Sequence, residues 1–344
     1  MHLKVGSKFD IMAKLEQYFI VYNIEFSQDV IKFYVIPKGY IDKEFKNFLI
    51  SLSKDYDVEF KREYGELVLE LKKTKNNIWV NILLLIATFC STTLMGSMLA
   101  GNIIDGFLFS LAIMFVLGSH EMGHYFAARK WTMRTSLPYF IPFPTIIGTL
   151  GAIIKHRGPI PNRKALFDVG VSGPLVGIVA SIIVTLIGLN LPFEVKKGEI
   201  MIALGVPPLF ELLAKLVNYD KQFIHPVAFA GWVGLFVTFL NLIPVGQLDG
   251  GHVLRAMIGK RAEIVSRFMP IVLVMVGLVI GGTILIFWGL ITFFFSLLPQ
   301  PEPLDDITPI DWKRKIIGLL TFCLALMCFT PVPFTIVSND FIMK

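Results

Sequence analysis

The chain has 344 residues, 54% of them hydrophobic and only 17% charged, with 30 Phe and a mean hydropathy of +0.67. Soluble domains carry about 25% charged residues, so the composition excludes an ordinary soluble enzyme and indicates a polytopic membrane protein. The net charge of +6 does not argue for nucleic acid, because the basic residues flank apolar runs, as membrane topology requires.

Residues 1 to about 73 differ from the rest. Asp10 to Phe19 reads as a short amphipathic helix, and Val30 to Ile36 as a strand that ends at Pro37-Lys38-Gly39. Asp42 to Leu52 has the helical spacing of Phe45, Phe48, Leu49 and Leu52. Val58 to Arg62 and Glu66 to Leu71 alternate apolar and polar residues around Tyr64-Gly65, which predicts a hairpin. A small α+β soluble domain over 1–73 is expected. It holds no Cys and no His beyond His2, so binding, regulation or a solubilising cap is expected of it, not chemistry. Its polar start predicts no signal peptide.

From residue 74 onward the chain reads as a transmembrane region. Trp79 to Leu99 is the first span and Phe107 to Ala128 the second, joined by Ala100 to Gly106, which has no Lys or Arg. Arg129 to Lys164 is broken by Pro138, Pro142, Pro144, Pro159 and Pro161, yet Thr145 to Ile154 is apolar. That run fits either strands entering the membrane part-way, tolerated where protein or water covers the backbone, or an interfacial loop. Leu166 to Leu189 is the third span, and Gly170, Gly173 and Gly177 are spaced for close helix contact. Asn190 to Pro226 is a mixed loop with Val206 to Val217 lying along the interface, and Val227 to Ile243 is the fourth span. Phe268 to Leu298 is too long for one span; Gly281-Gly282 predicts two short ones. Ile316 to Phe329 is a last short apolar segment. The expected architecture is a polytopic α-helical membrane protein of about six to seven spans with a partly membrane-inserted β segment. Cys90, Cys323 and Cys328 lie in apolar runs without metal-type spacing and read as inert.

The second span carries His120-Glu121-Met122-Gly123-His124. On a helix, residues four apart share a face, so both histidines can grip one metal ion. Glu121 lies about 100° further round, where it can take a proton from water at the metal. This is the zinc metallohydrolase pattern, here in a setting where ionisable groups are costly and tend to be functional.

Basic residues fix the side. Lys72, Lys73, Lys75, Arg129, Lys130, Arg134, Lys155, Arg157, Arg163, Lys164, Arg255, Lys260, Arg261, Arg267, Lys313, Arg314 and Lys315 fall on one side. Only Lys196, Lys197, Lys215, Lys221 and Lys344 fall on the other, so the first is read as cytosolic, with the N-terminal domain. His120 then lies about 14 Å along the helix from its cytosolic end. Catalytic zinc usually takes three protein ligands, and the third should come from the same depth. Asp249 is the one acid in the run Val227 to Gly251; Pro244 and Gly250-Gly251 let the chain turn inward there. His252 competes as a ligand or serves as an outer donor, while His156 and His225 are weaker candidates.

His120-Glu121-x-x-His124, followed by Asn241-x-x-Pro244-x-x-x-x-Asp249-Gly250-Gly251, resembles the site-2 protease family of intramembrane zinc metalloproteases. Gly148-Thr149-Leu150-Gly151-Ala152 and Ile160 to Asp168 are similar to its archaeal and plastid-type branch. The resemblance covers about 77–298, the expected catalytic core. It implies that His120, His124 and Asp249 hold Zn2+ and that Glu121 is general base and then acid. It also implies that Asn241 contacts substrate backbone and that Gly148, Thr149, Leu150 and Gly151 belong to a strand that pairs with unwound substrate. The expected substrates are transmembrane proteins in the lipid bilayer, with no nucleic acid; a homo-oligomer is compatible with the sequence. The expected place is the cell membrane, multi-pass. The rival readings are a metal-binding transporter, which would show repeated halves, and an inactive scaffold, which would have lost Glu121 or a ligand.

Overall fold

The computed structural model describes residues 8–38, 43–53, 55–63, 65–73, 78–193, 201–298 and 300–337. His2, Gly39, Asp42, Tyr64, Lys75, Lys196, Lys197 and Lys344, named above, lie outside them.

The N-terminal region runs α1 (Lys8–Tyr18), β1 (Phe19–Phe26), β2 (Val30–Pro37), α2 (Lys43–Leu52), β3 (Tyr56–Glu63) and β4 (Glu66–Lys73). The strands form one antiparallel sheet in the order β1-β2-β4-β3. Alternation in β2 turns Ile31, Phe33 and Val35 inward, against Ile11 and Leu15 of α1 and Phe45 and Leu49 of α2. Strand β1 is not expected from the sequence. Phe19 continues the helical spacing of α1 and no Gly or Pro marks the boundary; pairing with β2 decides the conformation instead.

The helical region comprises α3 (Ile78–Ala100), α4 (Ile103–Lys130), α5 (Arg163–Leu189), α6 (Pro208–Leu216), α7 (Pro226–Asn241), α8 (Asp249–Ile258), α9 (Ala262–Ile280), α10 (Thr283–Leu297) and α11 (Trp312–Met327). Among the described residues, α3, α4, α5 and the α8–α9 stretch Asp249–Ile280 are long and apolar enough to cross a membrane; α7 and α10 are apolar but shorter. The expected link Ala100 to Gly106 shrinks to Gly101 and Asn102, because the Asn102 side chain accepts the Asp105 N–H (2.9 Å) and caps α4 early. The expected break in the long apolar run is present: Gly281 (φ +69°) ends α9. Asp311 caps α11 by accepting the Arg314 N–H, which, with the Arg314 guanidinium, holds its carboxyl below the usual carboxylate range.

α4, α5 and α7 form the core, with Phe109, Ile113 and Val116 of α4 buried against Val184 of α5 and Trp232 and Leu235 of α7. Between α4 and α5 the chain forms four short strands, β5 (Arg134–Thr135), β6 (Tyr139–Pro142), β7 (Thr149–Ile153) and β8 (His156–Arg157). β6 and β7 make an antiparallel hairpin, and β5 pairs with β8. The hairpin is fastened to α3, where Asn81 Nδ2 donates to the Leu137 and Pro138 carbonyls. Its tip reaches the middle of that helix: a Cβ on Gly148 would lie 2.7 Å from the Ser91 carbonyl oxygen. A further pair, β9 (Met201–Leu204) with β10 (Phe334–Val337), joins distant parts of the chain in stretches that carry no strand expectation above.

Candidate metal centre

The i, i+4 spacing on α4 sets His120 and His124 on one buried face. Asp249 reaches them from α8. After α7 the chain doubles back so tightly that a Cβ on Gly250 would lie 2.1 Å from the Leu242 carbonyl oxygen, and one on Gly251 2.5 Å from that of Val245. Only glycine fits there, and the turn delivers Asp249 as the first residue of α8.

The three side chains converge. His120 Nε2 lies 3.2 Å and His124 Nε2 3.3 Å from Asp249 Oδ2, and the two Nε2 atoms are 3.2 Å apart. Four-coordinate zinc binds N and O donors at about 2.0–2.1 Å in a tetrahedron, which puts neighbouring donors about 3.3 Å apart. The observed triangle has that size. The chemistry agrees: His124 Nδ1 lies 2.8 Å from the Val169 carbonyl, which can only accept, so Nδ1 carries a hydrogen and Nε2 is the nitrogen left to bind a metal. Two imidazole nitrogens and a carboxylate facing one point suit a cation, and the donor set fits zinc. Among the described residues, this is the group of three His, Cys, Asp or Glu side chains close enough to share an ion.

α5 makes room for the rings. A Cβ on Gly173 would lie 2.1 Å from His124 Nε2, and one on Gly177 2.9 Å from His120 Nδ1. The glycine spacing read above as helix contact therefore also clears space for the histidines, a role that spacing alone does not reveal.

Glu121 is 9% exposed and stands outside the trio, close to the backbone of Ile154. Ile154 directly follows β7, so this strand ends beside Glu121. β7 pairs with β6 on one edge only, among the described residues, and packs against α4. Thr149 is buried, with Oγ1 donating to the Ile141 carbonyl (2.8 Å) and accepting the Gly151 N–H (3.0 Å). Leu150, 60% exposed, has no counterpart in the ladder and forms a bulge there. Asn241, the last residue of α7, places Nδ2 3.4 Å from His120 Nε2.

The remaining histidines stand apart from the trio. His252 has its Cβ against α5, 3.1 Å from where a Cβ on Gly170 would be, and its buried Nε2 makes no hydrogen bond among the described residues. His156 is exposed on β8. His225 caps α7 and meets Asp105 (3.2 Å) at the opposite end of α4.

The model of peptidase family M50 matches residues 108–284. Among curated relatives, the probable chloroplastic zinc metalloprotease EGY1 of Arabidopsis thaliana is 31% identical over 234 residues, 64% of this chain and 42% of that protein. EGY2 of the same plant is 29% identical over 248 residues, 70% of this chain and 44% of its own length. EGY3 of Oryza sativa subsp. japonica is 29% identical over 253 residues, covering 66% and 42%. The chain spans about two fifths of the length of these relatives. No solved structure matches it.

Proposed function

Because the chain belongs to peptidase family M50, the site-2 protease family its motifs resemble, we propose that it is an intramembrane zinc metalloprotease that hydrolyses peptide bonds in or near transmembrane helices of membrane-protein substrates. The observation that carries this is the buried triangle of His120, His124 and Asp249, with Glu121 one residue along α4 and outside it. A zinc ion held by those three donors supplies Lewis acidity toward water and the scissile carbonyl. Glu121 accepts the proton of the attacking water and returns it to the departing amine nitrogen. Asn241, at the rim beside His120, holds substrate backbone.

A transmembrane helix satisfies its own backbone hydrogen bonds, so its peptide bonds are shielded until it unwinds. The free edge of β7, Gly148 to Gly151 and onward, replaces the lost bonds by pairing with the unwound stretch. That edge runs to Glu121, which brings the paired segment to the base. Packing of the hairpin tip on the middle of α3 supports a membrane-inserted β segment. The excess of basic residues on one side supports a multi-pass protein of the cell membrane, with residues 1–73 and the opening of the site facing the cytosol.

Cleavage of a single-span substrate in detergent should stop when a chelator strips the protein and return when about one equivalent of zinc is restored. Persistent cleavage by protein shown to be metal-free would end the proposal. The division of labour has its own test. A chain lacking residues 1–73 should keep its zinc content, and a metal-free truncation would contradict residues 74–344 as the metalloprotease domain.

A further inference from the structure

Arg255 is the largest fully buried side chain of the described residues, at 0% exposed, and plays no part in the chemistry above. It lies on α8, six residues after Asp249, and so faces about 240° around the helix from it. Its Nη2 donates to Asp306 Oδ2 at 2.9 Å; its Nε and Nη1, and Asp306 Oδ1, make no hydrogen bond among the described residues. Asp306 sits on a segment pinned to the chain ahead of α5. The Leu304 N–H bonds the Ile160 carbonyl (2.8 Å), the Asp305 N–H bonds that of Pro161 (3.1 Å), and Ile310 is buried with Phe167 and Val253. α5 also grips the far end of α8, where Arg163 Nε donates to the Ala256 carbonyl at 2.9 Å.

We propose that the pair that buried Arg255 forms with half-buried Asp306 is a positioning element for Asp249: it fixes the rotation of α8 about its axis and thereby the place of the third metal donor. The inference rests on the metal reading above. α8 has ten residues and no side-chain cap at its start, and a helix that short takes its orientation from its contacts. A side-chain tip stands about 5–6 Å from a helix axis, so a turn of about 10° moves it by about 1 Å. A metal constellation tolerates about 0.5 Å. The glycine turn before α8 supplies close backbone contact at one end, while the guanidinium supplies a directional tie to a segment hydrogen-bonded ahead of α5, on the face away from the ligands.

The test uses the full-length protein in detergent, loaded with Zn2+ or Co2+. Zinc affinity is read by chelator competition, donor geometry by the visible absorption of Co2+, and stability by thermal unfolding. Asp306→Asn should weaken zinc binding roughly ten-fold and alter the Co2+ spectrum. The paired variant Arg255→Met/Asp306→Leu removes both charges at similar volume, a change that often preserves stability. It should unfold near the wild-type temperature yet show the same metal defect, and it decides the matter if Asp306→Asn does not fold. Wild-type zinc affinity and Co2+ spectrum in the paired variant would overturn the proposal. A wild-type protein that takes up no metal, or a His120→Ala variant that keeps it, would instead sink the reading on which the proposal rests.

Discussion

Glu121→Gln is expected to hold as much zinc as the wild type and to cleave a single-span substrate at least about 10²–10⁴-fold more slowly, the range attributed to general acid–base catalysis. The amide has nearly the shape of the carboxylate and can still accept a hydrogen bond through its oxygen. It cannot take a proton from water. Glu121 lies outside the donor triangle, so neutralising it removes no ligand and leaves His120, His124 and Asp249 in place. The two readouts therefore separate: activity falls while metal stays. Cleavage at the wild-type rate would remove Glu121 from the chemistry. Loss of zinc together with activity would mean that Glu121 supports the donor set itself. Both are measured on one preparation, by metal analysis and by product formation over time.

What could be read in the sequence was what short-range periodicity encodes. Spacing of four on α4 places His120 and His124 on one face whatever the tertiary structure does. A β-rich run ended by Pro37 gives β2, alternation gives β3 and β4, and Gly281 marks the break between α9 and α10. Asp249 stood out because an acid in an apolar run is costly. Contacts between residues far apart in the chain left no such trace. The Val169 carbonyl that fixes the His124 tautomer is a backbone atom and has no residue signature. The Arg255–Asp306 pair joins residues 51 positions apart, and each alone looks like a surface charge flanking a span. β1 was hidden for a different reason: its apolar residues extend the pattern of α1, and pairing with β2 decides between two conformations that local propensity leaves close.

Asp249→Ala should lose zinc, whereas His252→Ala should keep it. Removing Asp249 leaves two imidazole nitrogens 3.2 Å apart, one carboxylate short of the three protein donors that catalytic zinc usually takes. The affinity loss should exceed the roughly 10–100-fold cost of disturbing an outer contact. His252 cannot step in without movement, since its Cβ is packed against α5 at Gly170 and its nitrogens are not among the atoms within 4.8 Å of one another that make up the trio. Thermal unfolding gives an independent reading. A ligand that binds only the folded state, at a free concentration about 100 times its Kd, stabilises by about 2.7 kcal/mol. Zinc should therefore raise the unfolding temperature of the wild type and of His252→Ala, and leave that of Asp249→Ala where it was. Unchanged metal content in Asp249→Ala would exclude it as the third donor. If His252→Ala were then the variant that lost zinc, α8 would have to rotate by about 60° and slide by about 4.5 Å to bring residue 252 to the place of residue 249, because three residues advance a helix by about 300° and rise about 1.5 Å each. Such a movement would carry Arg255 away from Asp306, so the two assignments also differ in whether that pair can exist in the metal-bound protein.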